Sequence, residues 1–290
     1  MNGIYPALLT PLAQDGTLHQ ATLEASLHRI YDAGCQGVYI AGSTGEGLLL
    51  DPQLREDLTA ATVKSTPAGR KIIVHVGANS TATAVRLAKH AEKAGAHAIS
   101  SIAPPGPFSF DDIESYYQTL AAATSLPLIL YFFPASAPAV STYAHLERLC
   151  AIPNVAGVKF TSFDLYTLSR IPLELQKFVW NGHDEVLAAG LLMGACGGVG
   201  SIYNIEPGLF LGIYNATQQG NWAEARRLQD RANQLITIVL GYPLFPALKQ
   251  ILTWRGLDMG ACVPPRRSLS DAQQTQLSEQ LEAAGFATRR

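Results

Sequence analysis

Val155-Ala156-Gly157-Val158-Lys159-Phe160-Thr161-Ser162 is a short, β-rich, mostly apolar run with one lysine set inside it. Consecutive apolar residues without alternation are expected of a parallel strand covered on both faces. Lysine is among the residues least often buried without a partner, and the nearest carboxylate here is Asp164, beyond the run. Desolvation disfavours the charged form of an amine. A neutral amine in an apolar pocket adds to a carbonyl and forms a Schiff base. The alternative is a lysine at a strand end that snorkels to water or neutralises a loop carboxylate.

Seven further runs resemble it: IYPALLT from Ile4, GVYIAG from Gly37, KIIVHVG from Lys71, HAISSIAP from His97, LPLILYFFP from Leu126, KFVWNG from Lys177 and GGVGSIYN from Gly197. Helical patterns lie between them. Ala21–Tyr31 carries Leu23, Leu27 and Ile30 at helical spacing, with Gly34 as a stop. Thr81–Lys93 closes at Gly95, and a third pattern from Asp111 carries Ile113, Tyr116, Tyr117 and Leu120. Strand and helix alternating in this way predict an α/β fold, a (β/α)8 TIM barrel. Helical stretches at Trp222–Leu240, Phe245–Trp254 and Ser270–Ala284 exceed what one closing helix requires. They predict a barrel over residues 1–220 and a C-terminal helical extension over 221–290, packed on it.

The chain has 290 residues, 48% hydrophobic and 15% charged, with a net charge of −2. That charge offers no basic footprint for nucleic acid or an anionic membrane. The low charged fraction suggests that some surface is covered in an oligomer. Cys35, Cys150, Cys196 and Cys262 lack metal-ligand spacing and read as buried thiols of a reducing compartment. The chain starts without a basic stretch and cleavage site, and no apolar run approaches the roughly 20 residues that span a bilayer. The expectation is a soluble cytoplasmic protein.

Catalytic groups of such a barrel come from the C-terminal ends of its strands and the loops that follow. Every unusual cluster falls at that end. Strand 2 ends in Gly42-Ser43-Thr44-Gly45-Glu46-Gly47, a turn whose N–H groups and hydroxyls, placed before a helix, suit an anion. A capped βα turn reads equally well, and the Gly-Lys-Ser/Thr ending of a nucleotide loop is missing. Tyr131 ends strand 5, where a phenol can relay protons or simply pack in the core. Asp184 and Glu185 follow Gly182 after strand 7; they suit the hydroxyls of a polyol, or the acidic first turn of a helix. Gly197, Gly198 and Gly200 in strand 8 imply a close approach to the backbone, by a ligand or by tight barrel packing. His75 and His97, placed in strands, read as core histidines, since no carboxylate spacing makes a metal site.

With those residues placed, the chain resembles the N-acetylneuraminate lyase and dihydrodipicolinate synthase superfamily of class I aldolases. Gly42–Glu46, Tyr131–Pro134, the segment around Lys159 and Asn181–Glu185 match in order, and the likeness covers nearly the whole chain. Leu191–Ile205 is especially similar to the sialic acid lyase branch. The resemblance implies that Lys159 forms an imine with the keto carbon of pyruvate or of the keto acid cleaved. It implies that Ser43 and Thr44 hold the substrate carboxylate and that Tyr131 mediates proton transfer, with Thr44 beside it in the catalytic group. Thr161, Gly182, Asp184, Glu185, Gly200 and Ser201 match positions that contact the hydroxylated tail of sialic acid. No metal and no organic cofactor is implied, because the lysine supplies the electrophile. A homotetramer built from dimers is implied as well.

Two features choose the branch. Dihydrodipicolinate synthases place an arginine five positions after the tyrosine to bind a second carboxylate, and Ser136 stands there. Ser43 and the Asp184-Glu185 pair favour a polyhydroxylated acceptor. Two features depart: the loop Ala103–Phe108 has no tyrosine to send to a neighbouring subunit, and Phe132 and Phe133 make the rim after Tyr131 apolar. The leading expectation is reversible cleavage of N-acetylneuraminate to N-acetylmannosamine and pyruvate. A 2-keto-3-deoxy sugar acid aldolase or dehydratase keeps the mechanism with another acceptor. A barrel that binds sugar acids without turnover is a third reading, and a phosphate-binding barrel a fourth that lacks a phosphate signature near strands 7 and 8.

Overall fold

In the computed structural model, which describes residues 1–289, eight parallel strands form one sheet. They are β1 Gly3–Pro6, β2 Gly37–Ile40, β3 Lys71–His75, β4 Ala98–Ile102, β5 Leu128–Phe132, β6 Val155–Phe160, β7 Phe178–Asn181 and β8 Gly197–Gly200. The order β1-β8-β7-β6-β5-β4-β3-β2 runs once around. Backbone bonds from Gln36 N–H to Ile4 O (3.2 Å) and from Leu8 N–H to Tyr39 O (2.8 Å) join β1 to β2 and close the barrel. The expected TIM barrel is the observed fold.

The lack of alternation in the strands has a simple cause. Tyr5, Tyr39, Ile73, Ile129, Trp180 and Val199 pack inside the barrel. Their neighbours Ile4, Val38, Ile40, Ile72, Val74 and Val158 pack outward against the helices. Both parities are therefore apolar. Tyr5 and Trp180 fill the barrel floor with ring centroids 4.8 Å apart.

Eight helices cover the strands: α1 Gln20–Asp32, α2 Pro52–Ser65, α3 Thr81–Ala94, α4 Phe110–Ala122, α5 Tyr143–Cys150, α6 Leu165–Glu174, α7 Leu187–Leu192 and α8 Pro207–Gln218. Local chemistry sets their ends. Ser80 accepts the Thr83 N–H at the start of α3, and Gly95 ends it with φ of 95°. Leu23, Leu27 and Ile30 of α1 are at most 2% exposed, and each such side chain contributes roughly 1.5–3 kcal/mol by burial. Three more helices follow, α9 Trp222–Leu240, α10 Leu244–Trp254 and α11 Asp271–Ala283. They coincide with the three stretches expected beyond the closing helix. The bend of 108° between α9 and α10 carries their junction across the C-terminal mouth of the barrel.

Two expectations need correction. His97 precedes β4, and it is half-buried, its Nδ1 accepting the Ile72 N–H. Cys35, Cys150 and Cys262 are buried free thiols, but Cys196 is only half-buried. Among the described residues no single helix is long and apolar enough to cross a membrane.

Candidate active site

Lys159 is the fifth residue of β6, one from its C-terminal end, and points into the barrel mouth at 4% exposure. Its Cα partners are Tyr131 on β5 and Trp180 on β7. The Nζ stands over two aromatic faces, 3.8 Å from the centroid of Tyr131 and 4.4 Å from that of Tyr39. Among the described residues no carboxylate lies within salt-bridge distance of it. The ring faces attract an ammonium without the permanent partner that would block its nitrogen from a ligand.

The lysine opens on a cavity of about 240 Å³. Ser43, Thr44, Tyr131, Thr161, Gly182, Asp184, Glu185 and Ser201 line it with Lys159. These residues come from five different strand ends, so one cavity gathers nine of the ten residues expected from sequence. Gly200 is not on its wall. A Cβ there would collide with Asp184 Oδ1 and the Tyr203 ring, so this glycine makes room for the Asp184 carboxylate. Of the two explanations for the strand 8 glycines, tight packing is the one that applies at this position.

The turn after β2 is not a helix N-terminus. Asp51 caps α2, which begins only at Pro52, and the turn stands free of it. Within the turn, Glu46 N–H donates to Ser43 O and Gly47 N–H to Gly42 O, while no protein acceptor takes the Ser43 or Thr44 amide among the described residues. The Thr44 and Ser201 hydroxyls lie 2.6 Å apart and link this turn to the end of β8. Asn204 fixes that end by donating to Ala7 O (2.7 Å) and Ser201 O (2.8 Å) while accepting the Leu9 N–H.

Asp184 sits in a short 3-10 turn, Asp184–Val186, ahead of α7. It does not cap a helix; its Oδ2 accepts the Ile202 N–H at 2.8 Å. Burial pushes its carboxyl up to about 7. Its neighbour Glu185 is half-buried, and the His183 side chain, with Nδ1 3.5 Å from Oε2, holds that carboxyl below its ordinary range. His183 in turn stacks on Phe163, with centroids 4.0 Å apart and planes 11° from parallel. Part of the lining is apolar: Phe133, Ile236 and Leu240 of α9, and Leu244 and Phe245 of α10.

A larger groove of about 990 Å³ runs along Leu12–His19, Leu49–Leu54 and Asp258–Pro264. It contains none of the expected site residues. Its His19 and Asp51 are occupied as the caps of α1 and α2, so volume alone does not locate the chemistry. No group of three or more His, Cys, Asp or Glu among the described residues could hold a metal ion.

The model of the Dihydrodipicolinate synthetase family matches residues 1–284. The chain belongs to that family. It is 36% identical over 282 residues to the N-acetylneuraminate lyase of Rhizobium meliloti, covering 96% of this chain and 94% of that one. Among solved structures, one from Clostridium difficile, in complex with mannosamine, superposes with a TM-score of 0.93 at 28% identity, over 98% of this chain and 99% of that one. The sialic acid aldolase of Ruminococcus gnavus also gives 0.93, at 26% identity over 98% and 97%. That aldolase has been solved as its catalytic lysine mutant too.

Several residues around this cavity carry no signal in the sequence. Tyr39 lies in β2, and only the barrel's curvature brings its ring under Lys159. Its hydroxyl donates to Ser100 Oγ at 3.0 Å, and burial raises it well above the usual phenol range. His75 is buried as expected, but it has a defined task. Its Nδ1 faces Ala41 O at 3.1 Å and its Nε2 accepts the Ile102 N–H at 3.0 Å, which ties the turn after β2 to the end of β4. Burial first, then the Arg55 charge, hold this imidazole well below its ordinary value, so it is neutral. His183, inside a motif already singled out, was visible as a residue but not as a partner of Glu185.

Proposed function

We propose that this protein is a Schiff-base aldolase that reversibly cleaves N-acetylneuraminate to N-acetylmannosamine and pyruvate. The observation that carries the reading is Lys159, buried without a carboxylate partner among the described residues and facing a cavity lined by polar groups. Ser43, Thr44, Tyr131, Thr161, Gly182, Asp184, Glu185 and Ser201 line it, with the Thr44 and Ser201 hydroxyls in contact. The relatives named for sialic acid chemistry support it.

In this reading the substrate carboxylate lies against the amides and hydroxyls of Ser43 and Thr44. The Lys159 amine adds to the adjacent keto carbon, and loss of water gives the imine. The Tyr131 hydroxyl takes the proton of the C4 hydroxyl as it passes its own proton to the substrate's carboxylate, which holds it for return to C3. The C3–C4 bond then breaks, its electron pair passes into the imine, and the aldehyde of N-acetylmannosamine leaves. Protonation of the enamine at C3 and addition of water release pyruvate and restore the amine. The lysine is the only electrophilic device the sequence of steps requires. Asp184, Glu185, Thr161 and Ser201 receive the hydroxylated tail, and the apolar wall of α9 and α10 suits the methyl of an N-acyl group.

Pyruvate release from a panel of keto acids tests the proposal. N-acetylneuraminate should be cleaved with the highest kcat/KM. If it gives nothing while a shorter 2-keto-3-deoxy acid reacts, the acceptor is wrong and the aldolase mechanism stands. If no keto acid reacts, a sugar-acid binder replaces the enzyme.

A further inference from the structure

Glu46 is the one member of the Gly42–Gly47 turn that points away from the cavity, and its side chain is fully buried. Its Oε1 makes no hydrogen bond and depends on the ammonium of Lys249, 3.1 Å away and itself 3% exposed. Its Oε2 accepts the Val263 N–H at 2.9 Å and faces Arg266 Nη1 at 3.3 Å. Lys249 also donates to Ala261 O at 2.8 Å. A buried carboxylate is thus shared between the turn after β2, the α10 helix and the segment that follows it.

The backbone of that turn is under strain. Ala41 and Glu46, neither of them glycine, have φ of 55° and 59°. A Cβ on Gly47 would collide with the carbonyl of Ala41. Left-handed non-glycine residues cost roughly 1–3 kcal/mol each and persist only where their surroundings over-determine them. A buried ion pair is a costly means of stabilisation, because both charges lose their water. Its use here is better explained by the geometry it enforces than by net stability. α10 starts at Leu244 and Phe245, which line the cavity, and Arg266 lies over the Phe245 ring at 4.9 Å. The same three charges therefore touch the turn and the α10 end that lines the cavity.

From this connection we infer that Glu46, paired with Lys249, is a positioning residue that holds the Ser43–Thr44 turn in register with Lys159 and sets the affinity for the carboxylate of the keto acid. The inference rests on the reading of the cavity given above. It predicts that loosening the pair weakens binding at the turn and leaves the imine-forming lysine intact.

The test is the pyruvate concentration that half-saturates borohydride trapping on Lys159, compared between the wild type, Glu46→Gln and the double variant Glu46→Gln/Lys249→Met. Glu46→Gln leaves the buried Lys249 charge unpaired, so its melting temperature should fall; the double variant removes both charges and should recover it. In both, half-saturation should rise on the order of tenfold or more, as expected when reacting groups are displaced by a fraction of an ångström to an ångström. The double variant keeps the test readable if the single one does not fold. A folded double variant with unchanged half-saturation overturns the inference alone. A wild type that traps no pyruvate overturns the reading of the cavity, and the inference with it.

Discussion

Lys159 and Tyr131 are Cα partners on neighbouring strands, and the lysine Nζ stands 3.8 Å from the centroid of the tyrosine ring. The register of β5 on β6 therefore fixes the relation between the amine and the phenol. Each is one residue from the end of its strand, and each takes the parity that faces the mouth. A shift of one residue in either strand would turn one of them outward.

That relation separates two roles of Tyr131. Tyr131→Phe keeps the ring beneath the Nζ and removes only the hydroxyl. Pyruvate should still be trapped as an imine, while kcat for cleavage falls by about 10²–10⁴, the usual contribution of a positioned proton carrier. Single-turnover kinetics with the variant would show it; an unchanged kcat would assign the proton transfer elsewhere.

Asp184 makes a prediction about pH. Its folded value, about 7, is raised above 3.8 by burial. Between those values the unfolded chain is ionised and the folded one stays protonated, so this group's contribution to stability falls as pH rises. Asp184→Asn removes the titration and leaves an amide oxygen for the Ile202 N–H. The variant should gain stability relative to wild type from about pH 4 to pH 7, by at most about 1.4 kcal/mol per pH unit, and the difference should level off above pH 7. Denaturant unfolding at a series of pH values measures it, and a difference independent of pH would contradict the assignment.

Much of this was legible beforehand because it is local. Consecutive apolar runs mark β1 to β8, and the rule that barrel chemistry sits at strand C-termini collected Ser43, Thr44, Tyr131, Lys159 and Asp184 before any geometry was known. What stayed hidden depends on contacts between distant parts of the chain. Glu46 meets Lys249 and Arg266 only because α10 folds back over the mouth. Tyr39 lies beneath Lys159 because the sheet closes. Two-sided burial also erased the alternation that would have told inward residues from outward ones. A helix does follow the Gly42–Gly47 turn, but Leu48–Leu50 and the Asp51 cap intervene, a spacing that composition does not reveal.

His183 and Glu185 should behave as one unit. Glu185→Gln should raise KM for N-acetylneuraminate by roughly tenfold, as for a lost hydrogen bond to a charged group, with little change in pyruvate trapping. His183→Asn should raise KM less, and adding it to Glu185→Gln should have almost no further effect. Additive losses in this cycle would show that His183 acts on the substrate independently of Glu185.

Gly200 tests the space around the Asp184 carboxylate. Gly200→Ala would drive a methyl into Asp184 Oδ1 and the Tyr203 ring. The carboxylate must then leave the Ile202 N–H, and the expected cost is about 1–3 kcal/mol from overpacking in a filled core, together with a raised KM for the sugar acid. Thermal unfolding and steady-state kinetics on the same sample report both; a variant with native melting temperature and native KM would show that the packing there is loose.

The most direct test of the central claim is intact-protein mass after incubation with pyruvate and borohydride, followed by mapping of the modified peptide. The Schiff-base account predicts one reduced pyruvate adduct per chain, located on Lys159 and absent from folded Lys159→Ala. An unmodified wild-type chain, or an adduct on another lysine, would contradict it.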